Sequence, residues 1–267
     1  MRRFLFSIVF VFLLCTIYQI LNTSTIWADS QSSLSDYNKQ YDLYRQNYSS
    51  YVTSKNKWLT YRTLDSNQGA LINGKIFLKQ RITVVTAYLN LLKERVTQSN
   101  GFSQEAKDLI FSKLNVEQTW LSDHILKYDS AATLNDLEQL SGQFEDRYAG
   151  VIQYISLQTA GEIISNKEAV LNSQLLDVIN RLGQKLPEIS ASGQDITIAQ
   201  RWLLQAQNKQ ELSQGKQDDS LTLFNSLRGV NPVTQYNQAL FNLTESNQYL
   251  KEAVSYLTEV VKNITNQ

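Results

Sequence analysis

The chain has 267 residues, 42% of them apolar, with 25 basic and 25 acidic side chains in balance and no long run of one sign. That distribution excludes a nucleic-acid-binding surface, which needs clustered Lys and Arg to neutralise phosphates. A single histidine (His124), a single cysteine (Cys15) and a single methionine (Met1) exclude, within one chain, a disulfide, a His/Cys zinc site and a His-dependent triad.

Arg2 and Arg3 precede an apolar run from Phe4 to Leu21, then polar Asn22 to Thr25, then Ile26-Trp27-Ala28. A basic start, an apolar middle and a small exit residue make a secretory signal, with cleavage expected after Ala28. The run exceeds the ~7–15 residues of a signal and approaches the ~17–25 of a membrane span, so an uncleaved anchor is the alternative. Either way the body is expected outside the cytoplasm, secreted or in the cell envelope. Membrane contact is expected only through residues 1–28. Cys15 reads as one more apolar residue of that run.

Beyond residue 28 the sequence predicts an all-α protein: an elongated antiparallel bundle or coiled coil of about six long helices. Only 2 prolines occur in the whole chain, which suits uninterrupted helices. The first helix is expected over about 34 to 64, with Tyr37, Tyr41, Tyr44, Tyr48, Tyr51 and Trp58 at three-and-four steps. These rings read as a core stripe; a platform for a glycan or a protein partner is the functional alternative. Ser66-Asn67-Gln68-Gly69 predicts a turn.

A second helix is expected over 70–97, ended by Gln98 to Gly101. A third follows, capped by Ser103. Thr133 to Asp136 opens a fourth of about 50 residues, roughly 75 Å long, with a break near 161–167 as the alternative. Pro187 to Gln194 reads as a linker. A fifth helix carries Ile196, Leu203, Ala206, Leu221, Phe224 and Leu227, but its middle, Gln207 to Ser220, has almost no apolar face and is expected to protrude or break. Residues 29–160 are therefore read as a four-helix bundle and 161–267 as a three-helix bundle, joined by the long fourth helix.

The last helix has the cleanest pattern, with Asn231 as its cap and Pro232 in its first turn. Val233, Tyr236, Leu240, Leu243, Asn247, Leu250, Val254, Leu257, Val261 and Ile264 form a heptad seam broken only by Asn247. Such a seam closes within its own chain or pairs with a second copy, where an a-position Asn fixes register.

No residue is assigned a catalytic, cofactor or metal role. His124, one helical step from Trp120 and Tyr128, reads as a packed imidazole. Glu145-Asp146 and Asp218-Asp219 point in different directions on a helix and do not share a site. The glycosylation patterns at Asn47, Asn242 and Asn263 are attributed to chance in so polar a chain. The sequence thus points to an exported, non-enzymatic interaction module or envelope spacer that meets a protein partner, or itself, through helix faces. The alternatives are a ligand-sensing bundle with a pocket lined by Tyr41, Tyr44 and Tyr48, and a secreted helical effector.

Overall fold

The computed structural model describes residues 31–227 and 231–265. The signal or anchor expected at residues 1–28 lies outside them. All described elements are helical: α1 (Gln31–Tyr61), α2 (Leu64–Gln98), α3 (Gln104–Ser130), α4 (Leu134–Arg147), a π-helical turn (Tyr148–Ile152), α5 (Gln153–Ala191), α6 (Thr197–Asn225) and α7 (Pro232–Thr265). Since α4, the π turn and α5 run on without interruption, the described residues make six continuous helices. It divides after Ala160, within α5, into two compact units.

In the unit 28–160, α2 is the central helix: α1, α3 and α4 all pack on it. The expected turn at Ser66–Gly69 is corrected. The chain reverses at Arg62, which takes a left-handed φ of 53°, and at Thr63. Thr63 and Ser66 then form a reciprocal capping box that starts α2, satisfying donors that a helix start leaves open. Ser66 is thus a cap residue, and Gly69 sits inside the helix because glycine permits a turn without demanding one. Ser103 caps α3 through the Ala106 amide at 3.2 Å, and Thr133 with Asp136 forms a second capping box, at α4.

The long helix does not break at 161–167, and Pro187 does not end it: α5 runs through the proline to Ala191. A proline inside a helix costs about 3 kcal/mol. Leu186 and Ile189 on either side are buried in the core, and that burial offsets the cost. The helix stops where Gly193 takes φ 93° and its amide bonds the Ser190 carbonyl. The expected linker at Pro187–Gln194 therefore shrinks to the residues after Ala191.

In the unit 161–267, α6 is unbroken through the stretch expected to protrude. Its buried face carries Ala199, Ala206, Ser213 and Ser220, each with essentially no exposure. On α7 the matching residues are Ala239, Ser246, Ala253 and Val260, equally buried. Both rows repeat every seven residues. The Ser213 and Ser246 hydroxyls meet at 2.8 Å, and Ser220 Oγ donates to the Ala239 carbonyl at 2.9 Å. Those two contacts set an antiparallel register in which small residue faces small residue, so the two backbones lie close along their length. The ion pairs Lys209–Glu252 and Lys216–Glu245, both 2.7 Å, flank the seam in the same register.

α5 stands farther off and fills the space with longer side chains. At one end the filling is apolar: Leu175, Val178, Ile179, Leu182 and Leu186 of α5 pack with Leu203 of α6 and Leu250, Val254 and Leu257 of α7. At the other end it is polar, with Ser165, Glu168 and Asn172 of α5 buried against Gln210, Ser213, Gln217 and Ser220.

Candidate functional site

Three places concentrate chemistry or exposed apolar surface. The first is α1. None of its residues from Ser32 to Tyr61 is fully buried, so the helix lies on the surface of its unit. Apart from Tyr61, its aromatic residues, with Leu34, divide into two heptad rows. Tyr37, Tyr44, Tyr51 and Trp58 are half-buried; Tyr37 meets Tyr88 of α2 at 5.6 Å between centroids, while Tyr44 and Tyr51 meet Phe77 at 5.4 and 5.3 Å. Leu34, Tyr41 and Tyr48 form the second row and are 38%, 45% and 51% exposed. Tyr41 stacks on Tyr37 and Tyr44, and Tyr48 leans on Phe77. The rings form a ladder along the α1–α2 groove, with one side against α2 and the other facing water.

The second place is a cluster around His124, where α3 meets α4. The imidazole is buried and stacks on Trp120 with centroids 4.6 Å apart. Tyr128 closes its other side edge-on. His124 Nε2 lies 3.0 Å from the Leu140 carbonyl. A carbonyl only accepts, so Nε2 carries the proton and Nδ1 is left as a buried acceptor with no protein donor. Arg81 lies over the Phe144 ring at 4.3 Å and donates to Glu145 and Ser141. Arg147, the last residue of α4, forks onto the buried Glu117 carboxylate at 2.9 and 2.7 Å. The π turn follows at once, its extra residue visible in the Gln153 amide bonding the Tyr148 carbonyl.

Burial holds the His124 imidazole below its ordinary range, and Lys127 and Arg81 push the same way against the pull of the Leu140 carbonyl. A histidine whose folded value is lowered binds fewer protons folded than unfolded. Its contribution to stability is intact above the unfolded value near 6.5 and is lost as pH falls below it. The unit 28–160 should therefore weaken below pH 6.5, by at most about 1.4 kcal/mol per pH unit, and His124→Phe should flatten that slope. Acid titration followed by Trp120 fluorescence reads this directly, and an unchanged slope in the variant would rule His124 out as the source. The fixed tautomer and tight stacking make the imidazole a packed core group, as its spacing from Trp120 and Tyr128 predicts.

The third place is the polar end of the 161–267 core. Asn172 is its hub: its Oδ1 accepts from Gln210 Nε2 at 2.8 Å and its Nδ2 donates to Gln214 Oε1 at 3.0 Å. Gln217 Nε2 donates to the Ser165 carbonyl at 3.0 Å. Glu168 lies buried among these groups, close to Ser246. Sequence reasoning did not single out this cluster. The signal was present in Gln210, Ser213, Gln217 and Ser220, which keep the three-four spacing of a seam written in polar residues.

The seam expected on α7 is buried in part. Leu243, Leu250, Val254, Leu257 and Ile264 are buried, the last four within the apolar core of their own unit. Tyr236, Leu240, Asn247 and Val261 are half-buried, and Val233 is exposed in the first turn. The buried stripe is rotated toward the small residues, so Val233, Leu240, Asn247 and Val261 of the expected seam lie at the rim. Asn242 is buried, which bars a glycan there. Among the described residues no three His, Cys, Asp or Glu side chains group to hold a metal, and no helix is long and apolar enough to cross a membrane.

No family model matches the chain, and no curated protein and no solved structure is significantly similar to it.

Proposed function

We propose that the chain is an exported, non-enzymatic helical protein that works outside the cytoplasm as an interaction module or spacer, docking a protein partner on α1. The observation that carries this reading is the exposed row Leu34, Tyr41 and Tyr48, seven residues apart on a helix packed on one side only. Tyrosine supplies large, stiff, amphipathic contact area and is enriched where proteins meet. The signal-like order of Arg2, Arg3, the Phe4–Leu21 run and Ala28 supports export.

A photo-crosslinking residue placed at position 41 or 48 in the native host should give a discrete protein adduct. The same residue at Asn56, on the exposed surface of the same helix, should not. Equal adducts from all three positions would sink the docking face. Fractionation with intact-mass measurement tests export: a chain starting at Asp29 outside the cell, or a full-length chain in the membrane fraction, fits. A full-length chain found only in the cytoplasm does not.

A further inference from the structure

We propose that Glu168 is a proton-controlled latch. With its carboxyl neutral it seals the polar half of the three-helix core in the unit 161–267; with its carboxyl ionised that half opens locally while the apolar half stays closed.

The geometry favours the neutral form. Glu168 is only 5% exposed. Its Oε1 meets no protein donor, and neither does the hydroxyl of Ser165 one turn earlier on α5. The neighbouring Ser246 hydroxyl is already engaged, with the Ser213 hydroxyl at 2.8 Å. A buried carboxylate needs two or three donors or a cation to be comfortable. A protonated carboxyl instead brings an O–H of its own, which it can give to the serine hydroxyls, so the chain of bonds from α5 through Ser246 to Ser213 closes without a buried charge.

Nor is a countercharge at hand. On α6 the flanking cations Lys209 and Lys216 are already paired with Glu252 and Glu245 of α7, beside Tyr249, whose ring lies 5.1 Å from the Lys209 ammonium. On α5 itself Glu162 and Lys167 have interactions of their own. Burial pushes the Glu168 carboxyl up to about 7, opposed only by the nearby Ser246 hydroxyl.

The sign follows. The closed form holds a proton up to about pH 7, whereas a solvated glutamate releases it near 4.3. Closure is therefore fully stabilised at acidic pH, weakens as pH climbs between those two values, and levels off above the upper one. The apolar half, from Leu175 to Leu186 with Leu250 to Leu257, carries no such group. The latch stands independently of docking on α1.

Hydrogen–deuterium exchange of the full chain at pH 5 to 9, corrected for intrinsic rates, tests it. Amides of 165–172, 210–220 and 239–247 should lose about ten- to a hundredfold in protection between pH 5 and 8, then level off. Those of 178–189 and 253–260 should stay nearly constant. In Glu168→Gln the polar half should stay protected at every pH. In Ser246→Ala, which lacks the nearby hydroxyl that favours the charged form, the loss should continue to higher pH. A wild-type polar half with equal protection at pH 5 and 8 overturns the latch, as does a Glu168→Gln chain that keeps the wild-type fall. Should that variant not fold, a Ser246→Ala profile that levels at the wild-type pH overturns it equally.

Discussion

Arg147→Ala should destabilise the unit 28–160 by about 3 kcal/mol, the lower end of the range for removing one partner of a buried pair. The guanidinium gives two parallel bonds to Glu117, 2.9 and 2.7 Å long, and the carboxylate it serves is almost wholly enclosed. Truncation leaves that charge without a partner, which costs far more than the pair contributes net. The Arg147 side chain is itself a third exposed, so water can reach the vacated space and hold the loss to the lower end. The fork also sits 5.7 Å over the Trp120 ring, and that contact disappears with it. Arg147→Lys should recover part of the loss, since an ammonium restores charge but not the two-pronged geometry. Replacing both residues with leucine should come close to wild type. Urea unfolding at pH 7 measures all three; a loss below about 1 kcal/mol for Arg147→Ala would mean the pair behaves as a surface pair.

Gly161→Ala sets two effects against each other. In a helix interior alanine is favoured over glycine by about 1 kcal/mol, so propensity alone predicts a more stable chain. Gly161, however, faces Phe224 of α6, and a Cβ there would stand 2.3 Å from Cδ1 and 2.6 Å from Cγ of the ring. Phe224 is fully buried and packs against Tyr236 of α7, so the ring cannot swing aside. Overpacking of this kind costs about 1–3 kcal/mol, and a contact this short belongs at the upper end. The expected net result is a loss of about 1–2 kcal/mol after the propensity gain. Gly142→Ala, where a Cβ meets nothing within 4 Å, should instead be neutral or stabilising. Thermal melts of the two variants together separate the steric effect from propensity. A stabilised Gly161→Ala would show that α5 and α6 can move apart at this point.

The helices were legible in the sequence because each signal there is local. Ser103 and Thr133 announced their helices through side chains that reach their own first turn. The heptads of α7 announced its length, since the helix runs from Pro232 to Thr265. The end expected at Gln98 to Gly101 is where α2 stops; what failed were the breaks expected at Ser66–Gly69 and at Pro187. Pro187 lies inside a helix because tertiary burial outweighs a cost of about 3 kcal/mol, and Gly69 because a helix tolerates glycine at about 1 kcal/mol. The polar stretch of α6 was the largest miss. Its side chains look solvated when read singly, yet Gln210 and Gln217 find partners 38 and 52 residues away on α5. Such pairing depends on which helices become neighbours, and apolar periodicity does not record it. The aromatic row of α1 had the right period, but period alone cannot tell a ring buried on both sides from one buried on one.

The sevenfold repeat of small residues on α6 and α7 behaves like two matching rulers. Slide one past the other by a single heptad, about 10 Å of helix rise, and small residues again face small residues. The surface charges agree with the shifted setting too: Lys216 comes opposite Glu252, and Lys209 opposite Glu259. Neither the snug backbone contact nor the ion pairs, then, can tell the correct alignment from its neighbour. Contacts that do not repeat every seven residues can, among them the Asn172 bond to Gln210 and the Phe224–Tyr236 ring pair. The hydrophilic stretch of this core is thus one of the marks by which the chain reads its own alignment. Weakening it should cost little helix content and yield a slowly exchanging population of mis-aligned hairpins.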